Sequence, residues 1–350
     1  MSQLIDLASK LLDEDFNNLP VIDLTYAASP DRAQREAVAA EIRSACLNAG
    51  FFFVKNHSVP RQVVDNAFAA AAAFFAQSPG VKESVDISKS DNFRGYMKLL
   101  SENNDPTKQG EMHESWNIGL DPSIDTSKST SDFAPQDQPR KEGSLVHSDN
   151  LWPETSTWSG AEDFKRANLE YYSAILALGQ SLFPLFALAL DLPETFFDDK
   201  TRHPAAIMRM LKYPGIPPDQ VKDENPGIGA HTDFECFTIL AQGGPGLQVQ
   251  NRSGEWIDAP VIPDTFVINI GDQFARWTND IFVSTPHRVL PPRETRYSIP
   301  FFFGCDHDVP LIPPSTCVSD ARPNKYQVMT AGAYVHKRLS ETYAASQKKP

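Results

Sequence analysis

Gly229-Ala-His231-Thr-Asp233-Phe234 and, 54 positions after Asp233, His287 in Ser284-Thr-Pro-His-Arg-Val289 fix the reading of this chain. Residues two apart on an extended strand project to the same side, so His231 and Asp233 are predicted to share one strand face. Two imidazoles and one carboxylate can grip a single metal ion from one side and leave the opposite side open. His287 is too far along the chain to belong to the same strand. The fold must therefore lay a second strand beside the first.

The sequence around these residues supplies such strands. After Arg202, short β-rich runs occur at Ile207–Tyr213, Phe237–Ala241, Leu247–Val249, Phe266–Ile270, Val283–Val289 and Tyr297–Phe303. Gly243-Gly-Pro-Gly246, Ser253-Gly254 and Asn279-Asp280 separate several of them as turn signals. Many short strands with such turns predict a sandwich or jelly roll. Upstream, Pro20–Leu24 reads as a first strand and Phe51–Val54 as a buried one. Ser29-Pro30-Asp31 opens a helix through a capping hydroxyl and a first-turn proline, and Gly50 stops it. A second helix is expected over Arg61–Ala76. Glu162–Leu190 carries the longest apolar face, expected to back a sheet, with Pro184 kinking or splitting it. Thr330–Ala345 reads as a terminal amphipathic helix.

The fold class is thus α+β: a sandwich or jelly-roll core with flanking helices, including a long backing helix and a C-terminal helix. Four segments are expected: an N-terminal region over 1–160, the backing helix over 161–200, the metal-bearing core over 201–310 and a helical tail over 311–350. Between Asp121 and Pro153 the chain turns polar, as a solvated surface insertion or a cover over the site would.

Composition excludes several functions. The 32 basic and 45 acidic residues give a net charge of −13, against a nucleic-acid surface or an anionic membrane. No run is read as approaching the ~18 apolar residues of a membrane span, and the first twenty residues lack the pattern of a secretory signal. Cys46, Cys236, Cys305 and Cys317 show neither metal-type nor disulfide-framework spacing, as expected of free thiols in a reducing cytoplasm.

From about Leu19 to Phe303 the chain resembles the isopenicillin-N-synthase-like branch of the 2-oxoglutarate- and Fe(II)-dependent oxygenases. The resemblance rests on Pro20–Leu24, Gly50-Phe-Phe-Phe-Val-Lys-Asn-His57, Phe93-Arg-Gly-Tyr96, Gly229–Phe234, Asn269-Ile-Gly-Asp272, Arg276-Trp-Thr-Asn279, Ser284–Val289 and Arg296-Tyr-Ser-Ile-Pro-Phe301. It implies that the core is a double-stranded β-helix (jelly-roll), and that His231, Asp233 and His287 hold Fe(II) as a facial triad with open positions for cosubstrate and dioxygen. It also implies that Arg296 and Ser298 clamp the distal carboxylate of 2-oxoglutarate, assisted by Tyr213. Leu211 departs from the Asn-x-Tyr pattern common there, so the usual amide contact is missing. Asn269 and Asp272 are expected to fix a turn.

An arginine two residues before a serine on a strand shares its face and can fork one carboxylate; taken alone, the pair reads as an ordinary exposed strand edge. Phe234, Phe301 and Phe303, with Arg94 and Tyr96 from the N-terminal half, are candidate substrate contacts. The expected partners are a small molecule and O2, with neither nucleic acid nor membrane; oligomeric state, substrate and target carbon stay open. Two other readings remain at this point. Arg296 and Ser298 could hold the carboxylate of a substrate in an oxidase needing no 2-oxo acid, or the jelly roll could be a non-catalytic binding module. A zinc hydrolase lacks the general base of a His-Glu-x-x-His helix.

Overall fold

Strand alternation sorts the apolar residues of this chain into two cores and leaves a cavity inside one of them. The computed structural model describes residues 3–11, 15–90, 92–102, 110–121, 150–217 and 226–347. The N-terminal part runs through helix α1 (Gln3–Leu11), strand β1 (Val21–Asp23), α2 (Arg32–Asn48), β2 (Phe51–Lys55), α3 (Arg61–Phe75), α4 (Pro79–Ser84), β3 (Gly95–Met97) and β4 (Glu114–Gly119). The long α5 (Ala161–Ala189) leads into β5 (Ala206–Tyr213), β6 (Ile228–His231), β7 (Phe237–Gln242), β8 (Leu247–Gln250) and β9 (Trp256–Asp258). The chain ends with β10 (Phe266–Ile270), α6 (Asp272–Trp277), β11 (His287–Val289), β12 (Arg296–Phe303) and α7 (Ala331–Gln347).

Eight strands form a major sheet in the order β1-β2-β10-β7-β12-β5-β4-β3, and four form a minor sheet in the order β6-β11-β8-β9. β1 and β2 pair in parallel; the pairings that carry the site are antiparallel. On the inner face of the major sheet, Phe51, Phe53, Leu211, Tyr213 and Val267 pack with Leu247, Val249 and Val289 of the minor sheet. On its outer face, Phe52, Val54, Phe237, Ile239, Ile268, Ile299, Phe301 and Phe303 pack with Tyr172, Leu182, Phe183 and Phe186 of α5. The two facing sheets are the expected double-stranded β-helix, with α5 as its backing helix.

Several sequence expectations shift in detail. Asp31, not Ser29, caps α2, its side chain accepting from the Ala33 amide. Pro184 lies within α5 without splitting it, because packing on the sheet and on α2 and α3 supports the helix. That helix is also long and apolar enough to cross a bilayer, contrary to the reading that no run approaches a span; most of its apolar residues are buried against protein. Val283–Pro286 precede β11 instead of extending it, since Pro286 has no N–H for a ladder. Most of the polar insertion, residues 122–149, lies outside the described residues. The N-terminal region supplies β1–β4, at the two ends of the major sheet.

Alternation along β12 also corrects two candidate substrate residues. Phe301 and Phe303 are fully buried on the α5 side, whereas Ser298, Pro300 and Phe302 face the cavity. Phe301→Ala should cost about 3–5 kcal/mol in urea unfolding. Phe302→Ala, at a half-buried position, should cost clearly less.

Candidate metal and cosubstrate site

His287 and His231 are directly opposed in the antiparallel β11–β6 pair, with ring centroids 4.3 Å apart. β6 ends at His231, so Asp233 does not share a strand face with it as expected. The chain turns past the strand end instead. The Asp272 amide donates to the Asp233 carbonyl at 2.8 Å, and Thr232 Oγ1 donates to Asp272 Oδ2 at 3.0 Å. Ser284 Oγ also donates to Asp272, at 2.6 Å. Asp272 thereby ties the loop of one histidine to the loop of the other, which is the turn-fixing role expected of it.

The hydrogen bonds select which atoms are presented. His231 Nδ1 lies 2.8 Å from the Gly229 carbonyl and His287 Nδ1 lies 3.3 Å from the Thr285 carbonyl. A carbonyl only accepts, so each ring carries its hydrogen on Nδ1 and offers the Nε2 lone pair. Asp233 Oδ2 accepts from Thr238 Oγ1 and from Asn269 Nδ2, the latter at 2.7 Å. Its Oδ1 is left facing the two imidazoles, 3.6 Å from His231 Nε2 and 3.7 Å from His287 Nε2. These ligand atoms lie within 4.8 Å of one another.

Burial pushes the His231 pKa down, and the neighbouring His287 adds to this, keeping the ring neutral as a ligand must be. Burial opposes ionisation of Asp233, but His287, His231 and the Thr238 and Asn269 hydrogen bonds outweigh it and hold the carboxyl below its usual range. Two lone pairs and one carboxylate oxygen, each braced from behind, fit a divalent metal with its remaining positions open to the cavity.

Arg296 and Tyr213 are register partners across β12 and β5, and Ser298 pairs with Leu211. Arg296, Ser298 and Tyr213 are all nearly inaccessible, with the guanidinium 4.8 Å above the Tyr213 ring. Arg296 Nε donates to the Gly244 carbonyl at 3.0 Å. Its Nη1 is buried with no hydrogen-bond partner. A buried cationic donor left unpaired is costly, and a ligand carboxylate would satisfy it. Burial raises the Tyr213 pKa, so the phenol keeps its hydrogen. Leu211, buried on the same face, offers no polar contact.

A cavity of about 250 Å³ joins the two clusters. Phe234 and Arg94 line it. Arg94 is tied down, donating to Asn150 Oδ1 at 3.2 Å. Tyr96 does not line it: its hydroxyl donates to Glu114 Oε2 at 2.7 Å, and Glu114 also takes Lys82 and Lys212. Pro300 and Phe302 were missed, although the two-residue period that selected Arg296 and Ser298 continues through them. Asn269, expected to fix a turn, instead donates to Asp233; Thr238, Glu235 and the α7 residues Val335 and Leu339 carry no motif that sets them apart. Their placement comes from tertiary packing. Glu235 is buried, and burial together with the like charge of Asp233 pushes its carboxyl up to about 8.

A three-ligand metal centre and a buried cation facing one apolar cavity define a mononuclear oxygenase site with a slot for a carboxylate-bearing chelator. Comparisons with known proteins agree. A profile described as non-haem dioxygenase in morphine synthesis N-terminal matches residues 19–155, and that of the 2OG-Fe(II) oxygenase superfamily matches residues 205–304. The chain is 36% identical over 353 residues to the 2-oxoglutarate-Fe(II) type oxidoreductase ppzC of Metarhizium majus, covering 98% of this chain and 92% of the relative. It is 30% identical over 341 residues to the clavatol oxidase claD of Penicillium crustosum, covering 93% and 97%. A full-length Neurospora crassa protein, solved in complex with alpha-KG and thymine, superposes with a TM-score of 0.79 at 27% identity, over 93% of this chain and 97% of that one. The chain belongs to the 2OG-Fe(II) oxygenase superfamily and is an Fe(II)- and 2-oxoglutarate-dependent dioxygenase.

Removing the brace behind Asp233 should loosen the metal without unfolding the protein. Asn269→Ala should weaken Fe(II) binding by about 10–100-fold in anaerobic metal titrations, with an unchanged circular dichroism spectrum.

Proposed function

We propose that this enzyme oxidises a C–H bond of a small natural-product intermediate or amino-acid derivative, by hydroxylation or by the related desaturation or ring closure. His231, Asp233 and His287 would hold Fe(II), and Arg296, Ser298 and Tyr213 the distal carboxylate of 2-oxoglutarate. The observation that carries this reading is the orphaned Nη1 of Arg296, buried at the cavity wall beside a phenol and a hydroxyl. When bound, iron and 2-oxoglutarate would supply the oxidising chemistry, with succinate and CO2 as coproducts.

The residues of the chain do the positioning. Asp233 and the two imidazoles take one side of the metal and leave the cavity side free. Arg296 fixes the far end of the cosubstrate by a charge-assisted bond. Phe51, Leu240, Leu247 and Val289 line the cavity and exclude water around it. A cavity of this size suits a small molecule, in keeping with the thymine of the Neurospora crassa complex and the name clavatol oxidase. The acidic balance of the chain favours a free small molecule over nucleic acid or membrane, and the unpaired cysteines favour a cytoplasmic setting.

Succinate should form in proportion to oxidised product, and turnover without any 2-oxo acid would return the site to the oxidase reading. Arg296→Ala should raise the Kd for 2-oxoglutarate by about 30-fold or more with near-normal folding. An unchanged Kd would remove Arg296 from the cosubstrate site.

A further inference from the structure

Glu235 lines the cavity yet has no part in holding the metal or the cosubstrate. It is 9% exposed, and its Oε2 is buried with no hydrogen-bond partner. Gly304 makes the space that the carboxyl fills, since a Cβ there would collide with Oε2. Ala205 closes the other side of that glycine with a methyl and a carbonyl, neither of which can donate. A buried carboxyl without a donor destabilises the fold and contributes nothing to packing that an apolar side chain would not do better.

Its location separates it from the cosubstrate. Arg296 is the first residue of β12, and Gly304 follows the last. Eight residues of extended chain put these two positions roughly 25 Å apart. Asp233, held by Thr238 opposite Phe302 of β12, lies between, so a cosubstrate spanning metal and Arg296 leaves the Glu235 end of the cavity to the substrate.

We propose that Glu235 binds a basic nitrogen of the substrate, an amine or guanidine, and so sets which carbon faces the metal. The inference rests on the reading of the site given above. A cationic N–H group would give this unpaired carboxyl a donor and a charge of opposite sign at once. Phe234 and Phe302, which line the cavity as well, suit the apolar body that such a nitrogen would be attached to.

The test uses the full chain loaded anaerobically with Fe(II) and 2-oxoglutarate, titrated in a calorimeter with n-butylammonium, 1-butanol and butyrate. The amine should bind about tenfold or more tighter than the alcohol, and butyrate most weakly. Glu235→Gln should erase that preference while its Kd for 2-oxoglutarate stays within about twofold of the parent. Glu235→Leu should melt at or above the parent temperature, since it removes an unpaired buried carboxyl. Equal binding of amine and alcohol, no binding of the amine, or a preference that survives in Glu235→Gln would overturn the proposal. So would a lower melting temperature for Glu235→Leu, which would mark Glu235 as structural. Failure of the parent protein to bind 2-oxoglutarate would overturn the site reading, and this inference with it.

Discussion

Asp233 is where the two sheets meet chemically. Its chain segment continues the minor-sheet strand that carries His231, while the donors behind its Oδ2 come from the major sheet, Thr238 on β7 and Asn269 on β10. With Oδ2 saturated from that side, Oδ1 has one direction left, toward the imidazoles. A one-residue slip of β7 or β10 would swing those donors to the helix side, and the carboxylate would lose its orientation. The metal centre therefore depends on the register of strands that contribute no ligand themselves.

The register is in turn held by apolar packing on both faces. Phe51 and Phe53 face the cavity side while Phe52 and Val54 face α2 and α5. Each buried phenylalanine contributes roughly 1.5–3 kcal/mol, so a slip of β2 would exchange two filled cores at once. Gly50, at φ +65°, ends α2 and starts this strand with almost no room to spare; a Cβ there would run into the Val283 carbonyl. That contact also anchors the segment leading to His287. Helix termination, strand placement and ligand placement are linked at one residue.

Much of this was legible in the sequence, for physical reasons that differ by element. The buried Phe51–Val54 run, the alanine-rich α3 and the long α5 read clearly because length and periodicity are local properties. The His-x-Asp pair pointed to the right ligands through an inexact argument: the two side chains converge because the chain turns after His231, not because they share a pleat. Arg296 and Ser298 came from the resemblance, and the two-residue period that sets them on one face, applied further, would have chosen Pro300 and Phe302 over Phe301 and Phe303. Glu235, Thr238 and the α7 residues were not legible. Their roles come from which strand end lies against which, and that is fixed only when the sheets close.

The account stands most directly on one optical measurement. Adding Fe(II) and 2-oxoglutarate anaerobically should produce a weak visible charge-transfer band that needs both components and saturates at one iron per chain, and His231→Ala should not form it. No band in the parent protein, or an undiminished band in the His231→Ala variant, would contradict the assignment of these three side chains to one iron.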